Sequence, residues 1–135
     1  MGAKLGVDIG GTNIKFAVVE GVNVKYKNII DTAKTCEQIV EDISNEVLKL
    51  RKEYKIKAVG IGTPGKIKEG CVSAVNLPFD NFALDVEIAK KVGLPVNIDN
   101  DGNCAALGEV MMGGLTDCDN IVLVTLGTGV GGGIV

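Results

Sequence analysis

Apolar residues come in short runs broken by glycine. Residues 4–9 and 14–20 are two such runs, joined by Gly10-Gly11-Thr12-Asn13, and residues 23–30 follow a turn at Glu20-Gly21. Short apolar runs closed by tight turns predict a three-stranded antiparallel meander. The period then changes. Ile39, Ile43, Val47, Leu50 and Tyr54 recur at helical spacing across 36–54, and Thr35 with Gln38 predicts a capping box at the start. Val59 and Ile61 mark a fourth strand that ends at a Gly62-Thr63-Pro64-Gly65 loop. Residues 66–83 read as short strand pieces and loop. Leu84, Ile88 and Val92 place a second helix at 84–92, stopped by Gly93 and Pro95. Residues 96–99 form a fifth strand, and Asn100-Asp101 opens a third helix that runs to about Met112, before Gly113-Gly114. Ile121–Leu126 is another buried strand. Gly127–Gly133 is a glycine turn, and Ile134-Val135 begins a return strand.

The first eight elements read βββαβαβα. Antiparallel strands followed by parallel crossovers predict an α/β fold: a mixed sheet with helices on its faces. That order matches the ribonuclease-H-like unit of actin-like ATPases. Val7-Asp8-Ile9-Gly10-Gly11-Thr12 and Val124-Thr125-Leu126-Gly127-Thr128-Gly129 form a weak internal repeat. The expected division is an N-terminal domain over 1–117 and, over 118–135, the first hairpin of a second copy of the fold.

Composition narrows the function classes. The 135 residues carry a net charge of −3 with no basic block, which argues against nucleic acid as a partner. No apolar run approaches the ~20 residues of a membrane span, and no leader pattern precedes the first strand, so a cytoplasmic location is expected. Cys36, Cys71, Cys104 and Cys118 form no CxxC pair and histidine is absent, so no zinc site is expected within this chain and the thiols are expected to be reduced. Glycine stands out: 19 residues, about twice the usual ~7%. The glycines cluster behind apolar runs, where tight turns bring backbone close to a ligand.

Four of these clusters can carry chemistry. In Asp8-Ile9-Gly10-Gly11-Thr12-Asn13, bare backbone N–H groups and the Thr12 hydroxyl can face a phosphate. Asp8 at the strand end can hold the Mg²⁺ that accompanies ATP. The plainer reading is a hairpin turn; the segment is neither a Walker loop nor a dinucleotide fingerprint. A branched residue at Gly10 or Gly11 is expected to block the phosphate or to be forbidden by a positive φ. Gly127-Thr128-Gly129-Val130-Gly131-Gly132-Gly133 repeats the backbone argument and predicts a second phosphate clamp. Asp101, at a strand end and a helix start, is placed to accept a proton from an attacking hydroxyl, or else it is a helix cap with Asn100. Gly62-Thr63-Pro64-Gly65 and Asn76-Leu77-Pro78 offer polar atoms to sugar hydroxyls, or are turns.

Asp8-Ile-Gly-Gly-Thr12, then Gly62-Thr-Pro-Gly65, Asn76-Leu-Pro78, Ile98-Asp-Asn-Asp-Gly-Asn103 with Ala105-Ala-Leu-Gly-Glu109, then Leu126-Gly-Thr-Gly-Val-Gly-Gly-Gly133, resemble the ROK family (repressor, open reading frame, kinase) over the whole chain. The resemblance implies two phosphate loops, with Asp8, Gly10, Gly11 and Thr12 in the first and Gly127, Thr128 and Gly129 in the second. It implies Asp101 as catalytic base and sugar contacts from Gly65, Asn76, Asn100 and Asp101. Gly102 stands where alanine is usual, and Phe79–Phe82 replaces a frequent tryptophan-containing stretch. The family's later Glu-x-Gly-His segment, its zinc loop and its returning last helix are not in this chain. The implied function is the N-terminal half of an ATP-dependent hexose kinase of carbohydrate metabolism, with glucose the expected sugar and ATP and Mg²⁺ the cofactors. Separately, the apolar residues of the 120–135 hairpin, Ile121 to Val124, Leu126, Ile134 and Val135, predict a homodimer through that hairpin. The 135-residue chain alone is expected to be inactive. The alternatives are the sugar-sensing part of a ROK repressor and a non-catalytic or designed half-protein.

Overall fold

The computed structural model describes residues 2–113, 117, 120, 122–126 and 130–134. Strict alternation orients the first strand. In β1 (Ala3–Ile9), Ala3, Leu5, Val7 and Ile9 are buried while Lys4, Gly6 and Asp8 are exposed. β2 (Asn13–Glu20) buries Ile14, Phe16 and Val18 on the same side, and β3 (Asn23–Asp31) completes the meander at the sheet edge. This is the three-stranded antiparallel unit that the apolar runs predict.

Thr35 caps α1 (Cys36–Tyr54), its Oγ1 accepting from the Gln38 N–H at 3.2 Å. The capping box is only half made. The Gln38 side chain turns along the helix and donates to Asp42 Oδ1 at 2.7 Å, because a carboxylate one turn on is a strong acceptor. α1 presses Ile39, Ile43, Val47 and Leu50 onto the sheet, all fully buried. α2 (Leu84–Val92) lies beside it with Leu84, Ile88 and Val92 in the same core. Arg51 ties the two helix ends, donating to the Val92 carbonyl at 2.7 Å. Gly93, at φ +68, closes α2 in the left-handed region.

β4 (Ile56–Thr63) pairs parallel with β1, and β7 (Val96–Asn100) pairs parallel with β4. The strand order is β3-β2-β1-β4-β7. β4 runs further than the sequence suggests. Gly62 and Thr63 belong to the strand rather than a loop, because Asp99 and Asn100 extend the ladder opposite them. The 66–83 excursion contains a small hairpin, β5 (Lys66–Lys68) and β6 (Cys71–Ser73), with Val72 bridging to Phe82. α3 (Asp101–Met112) follows β7 directly. β8 (Val122–Leu126) and β9 (Val130–Ile134) form a separate antiparallel hairpin packed against α3. Among the described residues no helix is long and apolar enough to cross a membrane.

Candidate functional site

β1, β4 and β7 are parallel, so their carboxyl ends lie at one edge of the sheet. Ligands of α/β sheets bind at such an edge. The Gly10–Asn13 turn leaves β1 there, the Pro64-Gly65 turn leaves β4, and α3 starts from β7. Register aligns the side chains: Asp8 and Asp99 both pair with Gly62, one from each side. With strands ~4.8 Å apart, their backbones are roughly 10 Å apart across a residue that has no side chain.

Gly62 matters here because α3 comes down over it. A methyl at Gly62 would lie 3.3 Å from Cys104 Sγ and 3.7 Å from the Asp101 Cα. The Cys104 thiol is held above its ordinary range, first by burial and then by the negative charges of Asp99, Asp101 and Asp8. Three carboxylates thus surround one spot at the start of α3. Among the described residues none of the three is ion-paired, since both salt bridges lie on α1 and α2. Also among these residues, no group of three or more His, Cys, Asp or Glu could hold a metal ion by protein ligands alone. Mg²⁺ in phosphoryl transfer needs only one or two carboxylates besides phosphate and water. Asp8, exposed at its strand end, fits that requirement.

Asn100 is the N-cap of α3. Its Oδ1 accepts from the Gly102 N–H at 2.9 Å, and its Nδ2 donates to the Gly65 carbonyl at 2.9 Å. One amide therefore locks the helix start to the Gly65 turn. Gly65 has φ +102, and any side chain there would collide with the Ser73 carbonyl and sit 2.8 Å from Ala74 Cβ. Asp101 also accepts from the Gly102 N–H at 2.9 Å and remains exposed.

The Gly10–Gly11 turn corrects one expectation. Neither glycine has a positive φ. Gly10 is required by crowding, since a methyl there would lie 2.9 Å from the Asn13 carbonyl. Gly11 has room, its nearest neighbours being Asn76 atoms at 3.8 Å. Gly11 and Asn76 sit side by side in the lining of a hollow of about 270 Å³, together with Thr32, Lys34, Leu77 and Pro78. Thr12 is exposed beside it. Gly127, Thr128 and Gly129 lie outside the described residues. The strand after them does reach the site: a methyl at Gly102 would lie 2.6 Å from the Gly132 carbonyl, so α3 and β9 meet backbone to backbone beside Asp101.

The site residues thus fall into two linked groups. Asp8, Gly65, Asn100 and Asp101 gather around Gly62 and the start of α3, and Gly11 sits against Asn76 at the hollow. Residues 4–135 match the family model described as "ROK family". The chain belongs to the ROK family. A glucokinase of Streptomyces coelicolor is 40% identical over 139 residues, covering 100% of this chain and 44% of its own length. The crystal structure of a ROK family glucokinase from Streptomyces griseus, in complex with glucose and AMPPNP, superposes with a TM-score of 0.90 at 37% identity, covering 99% of this chain and 44% of that one. A ROK family transcriptional regulator, a homolog of the Escherichia coli MLC protein, gives a TM-score of 0.87 at 29% identity, with 98% and 36% coverage. The chain therefore spans somewhat less than half the length of these relatives and has the actin-like ATPase fold that the ROK glucokinases share.

The site also draws in Asp99, Thr32, Lys34, Cys36 and Cys104, which the motifs do not assign to it. Asp99 had a readable signal, since it immediately precedes Asn100 in β7. Its Oδ1 accepts from the Asn100 N–H at 2.7 Å and from Asn103 Nδ2 at 3.1 Å. The other four come to the site only through folding.

Proposed function

We propose that this chain is the N-terminal part of an ATP-dependent hexose kinase, with glucose as its sugar. The observation that carries the reading is the shared edge of β1, β4 and β7, where a bare glycine turn, three carboxylates and the Asn100–Gly65 lock converge. A glucokinase relative that binds glucose and AMPPNP with this fold supports it.

In this reading Asp101 takes the proton of the sugar hydroxyl as that oxygen attacks the γ-phosphorus. Its carboxylate is exposed at the N-terminal end of α3. Gly10, Gly11 and Thr12 receive phosphate oxygens from one side, and Gly127, Thr128 and Gly129 from the other. Asp8 holds Mg²⁺, which supplies charge neutralisation at the phosphates when bound. Gly65, Asn76 and Asn100 orient the sugar; Asn100 Nδ2 has one proton left after its bond to Gly65. The division at 117/118, a cytoplasmic location and a homodimer through residues 120–135 belong to the same proposal. The hairpin exposes Val122, Val124 and Ile134, an apolar edge that favours self-association of the 135-residue chain on its own.

The deciding experiment assays the full-length gene product against a panel of hexoses with ATP or polyphosphate. Glucose phosphorylation at about 1–100 s⁻¹ is expected. The similarity to a transcriptional regulator favours a second reading, a sugar sensor. Tight sugar binding with no turnover on any hexose would establish that reading and refute the kinase.

A further inference from the structure

One buried side chain outside the motifs holds the Gly10–Thr12 turn from behind. Thr32, on the connection between β3 and α1, is 8% exposed. Its Oγ1 donates to the Gly10 carbonyl at 2.7 Å, and its backbone N–H donates to the Thr12 carbonyl at 2.9 Å. Thr32 therefore grips the carbonyls on both sides of Gly11. The turn is closed from within by the Gly10 N–H donating to the Asn13 carbonyl at 2.8 Å.

The geometric consequence follows from peptide planarity. In a trans peptide the C=O of one residue and the N–H of the next point in opposite directions. With the Gly10 carbonyl pinned toward Thr32, the Gly11 N–H must face away from it. The segment that begins α1 also ties down the Asn76 side of the hollow: the Cys36 thiol donates to the Pro78 carbonyl at 2.9 Å, next to Asn76 and Leu77.

We infer that Thr32 is a positioning residue for the phosphate turn: its hydroxyl sets the Gly10–Gly11 peptide so that the Gly11 N–H is already aimed at a phosphate oxygen of the nucleotide. This rests on the kinase reading. Thr32 touches no reacting atom, and acts by sparing the turn a reorientation when the nucleotide binds.

Thr32→Val removes the hydroxyl donor and keeps the branched shape and the backbone N–H. In the full-length gene product we expect the calorimetric Kd and the KM for Mg·ATP to rise about tenfold, the scale of one hydrogen bond to a turn that must be preorganised. The glucose Kd should stay within twofold, and Thr32→Ser should restore ATP affinity to within threefold. Cys36→Ala should do the reverse, weakening glucose and sparing ATP. Unchanged ATP affinity in Thr32→Val, equal loss of both ligands, or a serine variant as poor as the valine would overturn the inference. Should the valine variant not fold, Thr32→Ala removes the same donor with less bulk and is read by the same ratio. Amide hydrogen exchange separates this inference from the kinase reading. Without ligand, the Gly10 amide, which donates to the Asn13 carbonyl within the turn, should exchange at least tenfold faster in Thr32→Val, with the β1 and α1 amides unchanged. If the wild-type protein binds no nucleotide, the kinase reading falls, and unchanged Gly10 exchange would then sink the role of Thr32 separately.

Discussion

Replacing Asp101 by Asn isolates the proposed base from its structural surroundings. Asp101 is exposed, and among the described residues its carboxylate accepts only from the Gly102 N–H, which also donates to Asn100 Oδ1 at 2.9 Å. An asparagine amide keeps an acceptor in place. What the fold loses is one negative charge in the first turn of α3, worth about 0.3–1 kcal/mol. Removing a general base costs about 10²–10⁴ in rate, which is about 3–5 kcal/mol of barrier. The chemical effect therefore exceeds the structural one several-fold, and the two are separable. The assay is steady-state ADP release by the full-length gene product, with glucose Kd by calorimetry and stability by urea unfolding. We expect kcat to fall at least a hundredfold, glucose Kd to stay within threefold, and stability to change by less than about 1 kcal/mol. A kcat within tenfold of wild type would reduce Asp101 to a helix-start residue. A comparable loss in sugar affinity would make its role one of placement. Asn100→Ala is the contrasting control: it removes the N-cap and the Gly65 lock together, so it should cost about 0.5–2 kcal/mol of stability.

Gly11→Ala should leave the fold intact, because φ is not positive there and the nearest atoms stand 3.8 Å from the added Cβ. It should nonetheless weaken Mg·ATP at least tenfold by covering the backbone N–H; an unchanged nucleotide Kd would show that this turn binds no phosphate. Cys104 should be a slow nucleophile. Burial, then Asp99, Asp101 and Asp8, favour the neutral thiol, so its thiolate fraction grows only above the pH at which an ordinary cysteine titrates. Iodoacetamide labelling at pH 7.5 should run slower than for free cysteine, speed up as pH rises past 9, and speed up again in Asp101→Asn; faster labelling than free cysteine in the wild-type protein would contradict the carboxylate cluster.

Much of this protein was legible residue by residue. The meander, the register of α1 on Ile39, Ile43, Val47 and Leu50, the stop at Gly93 and the start of α3 at Asn100 all follow from spacing and turn chemistry within a few residues. Such signals are local, since a helix face or a cap is decided by neighbours three or four positions away. Where local alternatives competed, sequence fell short. Gln38 chose Asp42 over the cap, and β4 extended through Thr63 because β7 lay beside it. The positive φ expected at Gly10 and Gly11 is not what the backbone adopts, and at Gly10 it is crowding against the Asn13 carbonyl that excludes a side chain. The site itself is a product of tertiary structure. Asp8 and Asp99 meet across Gly62 because parallel pairing brings three strand ends to one edge. Thr32 reaches Gly10 across 22 positions and Cys36 reaches Pro78 across 42. Contacts of that separation depend on how strands order and helices cross over, and no window of neighbouring residues contains both partners.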